Sequence, residues 1–151
     1  MDEFIIEPYI DDPSLPSAII VDIDGTIAQM SDRSPYDFSR VGEDTPVEAV
    51  IDAVRSAKLS GRRVILMSGR NESCRNITEM WLDFHLADLW DELHMRSEYD
   101  ERKDDIVKYE MFKKYVEGKY HVKYVLDDRD QVVAMWRKLG LACFQVNYGD
   151  F

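Results

Sequence analysis

Two carboxylates at i and i+2 of an extended backbone project to the same side, and Asp22 and Asp24 stand at that spacing with Gly25 and Thr26 directly behind them. Like charges held together away from water are costly unless a cation or a proton joins them. The pair therefore points to a divalent metal, a substrate proton, or both. A surface Asp-Gly turn would carry the same letters. Against it stands the run Ala18-Ile19-Ile20-Val21, which reads as a strand buried on both faces and cut off by the first acid.

The same pattern recurs downstream. Arg63-Val64-Ile65-Leu66-Met67 is a second buried strand that stops in Ser68-Gly69-Arg70, and Val122-Lys123-Tyr124-Val125-Leu126 is another that stops in Asp127-Asp128. In open parallel sheets ligands bind beyond the carboxyl ends of the strands, so these endings are expected to meet the acid pair. Asp104 and Lys108 are four apart and share one face of a helix; an exposed ion pair has the same spacing. Arg33 lies in a polar, non-periodic stretch, 29–44, which reads as a long loop or flap. Loops of that length in compact domains are usually functional.

The elements that must position these residues follow from period and punctuation. Thr45 as N-cap, Pro46 at the first helical position and Glu48 closing a capping box open a helix that runs to about Ser60 and stops at Gly61. Its apolar stripe is Val50, Ile51, Val54 and Leu59. A second helix is expected over 72–89 with Ile77, Trp81, Phe84 and Leu89 inward, a short strand over 91–96, and a helix opening near Arg102. A last helix over 131–139 and a last strand over 141–146 complete the pattern. Strands alternating with helices give an α/β class: a Rossmann-like parallel five-stranded sheet with helices on both faces and a minimal cap or flap after the first strand. Residues 1–17, with Pro8, Pro13 and Pro16 and no sustained period, read as an N-terminal arm or linker remnant, and 18–151 as the single domain.

Bulk properties narrow the function. A net charge of −11 argues against coating a polyanion through a broad basic face, though not against gripping one phosphate. Cys74 and Cys143 are far apart and outside metal-ligand spacing, so they read as buried thiols, and a cytoplasmic location is expected. His85, His94 and His121 show no partner pattern.

The ordered set Asp22-x-Asp24-Gly25-Thr26, Ser68, a helical lysine and Asp127-Asp128 resembles the haloacid dehalogenase superfamily of phosphotransferases. Ile23-Asp24-Gly25-Thr26-Ile27-Ala28, Arg33-Ser34-Pro35-Tyr36-Asp37, the segments 64–70, 102–108 and 126–137, and the terminal Gly149-Asp150-Phe151 look like the phosphatase half of the T-even phage polynucleotide kinase-phosphatase family. The likeness covers 16–151. It implies a phosphatase acting on 3′-phosphorylated DNA or RNA ends, with 2′,3′-cyclic phosphate as a second substrate, Mg²⁺ as cofactor, and a kinase domain or ligase as partner. By the same resemblance Asp22 is the nucleophile and Asp24 the general acid and base. Ser68 and Lys108 hold phosphoryl oxygens, and Asp104 fixes the Lys108 ammonium. Arg33 and Arg70 grip the substrate phosphate, with Thr26 beside them. Asp22, the Asp24 carbonyl and one or both of Asp127 and Asp128 ligate the metal. No G-x-x-x-x-G-K-[ST] loop is present, so kinase activity is not expected of this chain. A small-molecule phosphatase or nucleotidase of the same superfamily and a non-catalytic end-binding module remain as alternatives, separable by substrate preference and by whether the acids are needed.

Overall fold

The computed structural model describes residues 4–151. Five parallel strands form one sheet in the order β5-β4-β1-β6-β7, with β1 Ser17–Val21, β4 Arg63–Asn71, β5 Glu92–Arg96, β6 His121–Asp127 and β7 Cys143–Gln145. A separate antiparallel pair joins β2 Ala28–Gln29 to β3 Thr45–Pro46. The α-helices are α1 Glu48–Leu59, α2 Arg75–His85, α3 Asp104–Tyr115 and α4 Asp130–Lys138.

Alternation along the central strands sets up the two layers. Ile19, Val21, Val64 and Leu66 face a core shared with α1 and α2, while Ala18, Ile20, Ile65 and Met67 face one shared with α3 and α4. With apolar residues wanted on both faces, these strands can sit only in the middle of the sheet. The expected α/β class, five-stranded parallel sheet and helices on both faces are what the structure shows. Because β1 lies between β4 and β6, the chain leaves it in one direction and returns on the other side. Val21 pairs with both Leu66 and Leu126, so Asp22, the end of β4 and Asp127 come out at one level of one edge.

Several local expectations are corrected. Thr45 and Pro46 do not cap α1; they pair as β3 with β2 and close the base of the flap, and Thr45 Oγ1 donates to the Gln29 carbonyl at 3.4 Å. The helix starts after Val47, whose N–H reaches the Ile27 carbonyl at 2.9 Å. The long second helix is three pieces, a 3₁₀ turn at Glu72–Cys74, α2, and a 3₁₀ turn at Ala87–Leu89, broken where Ala87 takes a φ of 51°. Leu59 and Phe84 are not core residues: they are 82% and 83% exposed, on faces turned from the sheet. The flap is not structureless, since Phe38–Glu43 forms a 3₁₀ helix.

From Phe4 to Pro16 the N-terminal arm has neither helix nor strand, Ser17 already opening β1, and it lies against the α3–α4 layer. Tyr9 donates its N–H to the Leu139 carbonyl at 3.0 Å and meets the Phe112 ring edge-on at 5.2 Å. Cys74 and Cys143 are buried and unpaired, and burial pushes the Cys143 thiol up to about 12. No helix of the described residues is long and apolar enough to cross a membrane.

Candidate active site

At the carboxyl edge, Asp22, Asp127 and Asp128 bring carboxylate oxygens within 4.8 Å of one another, and all three side chains are buried. Lys108 is the cation among them. Its Nζ donates to Asp22 Oδ1 at 2.7 Å and Asp127 Oδ2 at 3.0 Å. The Trp136 indole N–H also donates to Asp127 Oδ2, at 3.1 Å, and Thr26 Oγ1 donates to Asp22 Oδ2 at 3.1 Å. Desolvation, with the like charge of Asp127, pushes Asp22 well above the usual carboxylate range despite Lys108, and burial pushes Asp128 up as well. Burial works against the Lys108 charge, yet Asp127, Asp22 and Asp104 together hold it more firmly protonated than an ordinary lysine. Three carboxylates against one ammonium leave two negative charges over, which fits a divalent cation. Gly25 makes the approach of Asp128 possible, because a Cβ there would fall 2.0 Å from Asp128 Oδ2, and its φ of +79° suits glycine.

Asp24 belongs to a different cluster. Its carboxylate is gripped by Arg70 (Nη2 to Oδ1, 2.8 Å; Nε to Oδ2, 3.1 Å) and by Arg33 (Nη2 to Oδ1, 3.2 Å). Both arginines also bind Asp44, at 2.8 and 2.9 Å from Arg33 and 2.9 Å from Arg70. The side chains of Arg33, Arg70 and Asp44 are fully enclosed, and only Asp24 opens to solvent, with 31% of its side chain exposed. Thr78 Oγ1 and the Arg70 Nη1 meet at 3.1 Å, and the Trp81 indole holds the Asp44 carbonyl at 2.8 Å. Both arginines expected on the substrate phosphate are thus hydrogen-bonded to carboxylates in this structure. Asp44 carries no sequence signal of its burial, because an acid in a polar loop reads as solvated.

Ser68 is buried at the end of β4, where its hydroxyl accepts the Arg70 N–H at 3.0 Å. Asp104 does not hydrogen-bond Lys108 as expected. Its carboxylate takes Arg96 on one oxygen and Arg129 at 3.1 Å on the other, and although burial opposes its charge, Lys108, Arg96 and Arg129 keep it below the ordinary range. The short tail after β7 zips along the Asp127–Asp130 loop. Val146 N–H reaches the Asp127 carbonyl at 3.1 Å, Gln145 Nε2 the Asp128 carbonyl at 2.9 Å, and Asp130 N–H the Gly149 carbonyl at 2.8 Å. Gly149 is pressed so close that a Cβ would sit 1.8 Å from the Asp128 carbonyl oxygen.

The family model for the polynucleotide kinase PNKP phosphatase domain matches residues 16–151. The chain belongs to that family. It is 38% identical over 126 residues to a protein of Autographa californica nuclear polyhedrosis virus described as a bifunctional polynucleotide kinase/RNA ligase, covering 82% of this chain but 18% of that one. A chain of the Pnkp1/Rnl/Hen1 complex, described elsewhere as an RNA repair complex, superimposes with a TM-score of 0.91 at 45% identity over 100% of this chain and 53% of its own. A D,D-heptose 1,7-bisphosphate phosphatase from B. bronchiseptica, solved with magnesium and phosphate, shares the fold at a TM-score of 0.59 and 14% identity, over 85% of this chain and 79% of its own. The present chain thus spans about a fifth of the viral relative and about half of the Pnkp1 chain. As a PNKP phosphatase domain it is a member of the haloacid dehalogenase-like folds, as the strand-end acids implied.

Proposed function

We propose that this chain is a Mg²⁺-dependent polynucleotide 3′-phosphatase that clears 3′-phosphates from DNA or RNA ends. The observation that carries the reading is the split of the acid pair: Asp22 in a buried, cation-seeking cluster, and Asp24 beside it, clamped but open to solvent. Asp22 attacks the phosphorus, the bond to the 3′-oxygen breaks, and the resulting aspartyl-phosphate divides one hard displacement into two easier ones. Asp24 protonates the departing oxygen and then takes a proton from the attacking water. Lys108 and Ser68 meet the phosphoryl oxygens, and Thr26 orients the Asp22 carboxylate through its hydroxyl. Arg33 and Arg70 act on the substrate through Asp24, whose position they set. Asp22, Asp127 and Asp128, with the Asp24 main-chain carbonyl, would hold the ion, which supplies the positive charge that lets a carboxylate approach a phosphate dianion.

Between β1 and α1 there is only the flap, with a two-stranded ladder and a 3₁₀ helix, so the site lacks an inserted cap that would enclose a small metabolite. An open site suits the end of a polymer. The relatives' descriptions as kinase/ligase and as part of a repair complex support placement in end repair beside a kinase or ligase. The test compares matched 3′-phosphorylated DNA and RNA oligonucleotides with a 3′-mononucleotide and a sugar phosphate. Mg²⁺-dependent release favouring the oligonucleotides is expected; a preference for the sugar phosphate overturns the reading.

A further inference from the structure

The eight tyrosines divide in two. Tyr9, Tyr109, Tyr115, Tyr120 and Tyr124 are half-buried and engaged: Tyr115 stacks on His94 at 4.0 Å, Tyr124 packs on Phe144 at 5.2 Å, and Tyr120 donates to Glu92. The other three, Tyr36, Tyr99 and Tyr148, are 85%, 89% and 92% exposed, and among the described residues their rings and hydroxyls make no contact of this kind. A single exposed aromatic is ordinary. Their placement is not, because all three lie in segments that follow the carboxyl ends of sheet strands, on the face that carries Asp22.

Each has a close neighbour in sequence that is fixed at this edge of the sheet. Tyr36 lies three residues after Arg33, which donates to Asp24 at 3.2 Å. Tyr99 lies between Glu98, whose carbonyl accepts from Asn71 at the end of β4 at 2.7 Å, and Asp100, whose carbonyl accepts from Arg96 at 3.1 Å. Tyr148 precedes Gly149, the residue pressed onto Asp128.

The charges around them supply the second argument. The net charge is −11, and the arginines near the site are committed: Arg33 and Arg70 to Asp24 and Asp44, Arg96 and Arg129 to Asp104, Arg102 to Asp100 and Glu110. A polyanion gains little from such a surface, so affinity for a strand must come from contacts that do not use phosphate charge. Base stacking on aromatic faces is the contact of that kind, and it tolerates any sequence because every base has a π-face.

We propose that the exposed rings of Tyr36, Tyr99 and Tyr148, the last two flanking Asp22 from the β5 and β7 sides of the sheet, offer stacking faces to the bases of a polynucleotide end while its 3′-phosphate reaches Asp22; this rests on the polynucleotide reading above. The experiment measures kcat and KM for a short 3′-phosphorylated oligonucleotide and for a 3′-mononucleotide. It uses the wild type, the three single Tyr→Ala variants, the triple Tyr→Ala variant and the triple Tyr→Phe variant. Alanine at all three positions should lower the oligonucleotide-to-mononucleotide ratio of kcat/KM by roughly ten- to a hundredfold, through KM, whereas phenylalanine, which keeps the ring, should retain most of it. The singles rank the positions. An unchanged ratio in the triple alanine variant overturns the stacking proposal, as does a salt dependence implying six or more neutralised phosphates. If instead the wild type shows no preference for the oligonucleotide, the polynucleotide reading fails first and the stacking proposal with it.

Discussion

Asp22 and Asp24 are two residues apart in sequence, yet they sit in clusters of opposite electrostatic character. Around Asp22, three buried carboxylates share one lysine, and the cluster is short of positive charge. Around Asp24, two carboxylates and two guanidiniums balance, with every member hydrogen-bonded to an opposite charge. The first arrangement carries more negative than positive charge; the second is balanced as it stands. What separates them is the turn after β1, which sends Asp22 toward α3 and β6 and lets Asp24 face the flap and the end of β4.

The largest expected effect breaks the first cluster and reverses the usual sign of a mutation. Asp22→Asn removes the proposed nucleophile, and turnover of a 3′-phosphorylated oligonucleotide should fall by roughly four orders of magnitude, as for other covalent catalysts that lose theirs. It also removes one of three crowded negative charges, so in a chelator the variant should be more stable than wild type, by about 1 kcal/mol in denaturant melts. Asp24→Asn, taken from a balanced set, should not stabilise. If Asp22→Asn kept its activity, the covalent mechanism would be wrong.

Lys108→Met should come next. It leaves three carboxylates buried with no cation, and losing one partner of a buried charge cluster costs about 3–5 kcal/mol. Because the deficit is one of positive charge, excess Mg²⁺ should return part of that loss in the same melts. A loss that Mg²⁺ leaves untouched would mean that the lysine matters through packing, not through charge.

The strand-end acids were legible because a buried strand has no structural use for a carboxylate, so each apolar run that stopped in Asp or Ser marked the same edge. Their order along the chain carried the family, and alternation of apolar residues carried the sheet. Which carboxylate partners which cation was not legible. Arg33, Arg70 and Asp44 look like solvated charges in sequence, and only the folded flap turns them inward against Asp24. The Thr45-Pro46 capping signal is locally sound; it lost to the ladder with Ala28 and Gln29, a pairing that depends on residues sixteen or more positions away. Gly149 gives no sign of its role either, since the Asp128 carbonyl that excludes a side chain there comes from a distant loop.

The Asp24 cluster can be sharpened through Asp44. In Asp44→Asn the shape and the acceptor oxygen remain but one negative charge goes, so Arg33 and Arg70 lose the charged partner that fixes them and hold Asp24 less firmly in place. Proton delivery should slow, so kcat should fall about ten- to a hundredfold for an alkyl 3′-phosphate, the range of a general-acid contribution. The loss should be much smaller for p-nitrophenyl phosphate, whose leaving group needs no acid. Equal losses on both substrates would place Asp44 in structure alone.

Gly149→Ala tests whether the tail belongs to the first cluster only. The added methyl meets the Asp128 carbonyl oxygen, a backbone atom that cannot swing away as a side-chain tip can, so the 127–130 loop or the tail has to move. Overpacking of this kind costs about 1–3 kcal/mol. The more telling readout is the gain in stability on adding Mg²⁺, which in wild type should reach about 2.7 kcal/mol at a hundredfold excess over Kd. Displacing Asp128 should weaken the proposed ion site, so the variant should need several-fold more Mg²⁺ for the same gain. Asp44→Asn, whose change lies wholly among the arginines, should follow the wild-type curve. If both variants shift the Mg²⁺ curve alike, the two clusters are coupled through the backbone between Asp22 and Asp24, and the electrostatic separation drawn above does not survive as a functional one.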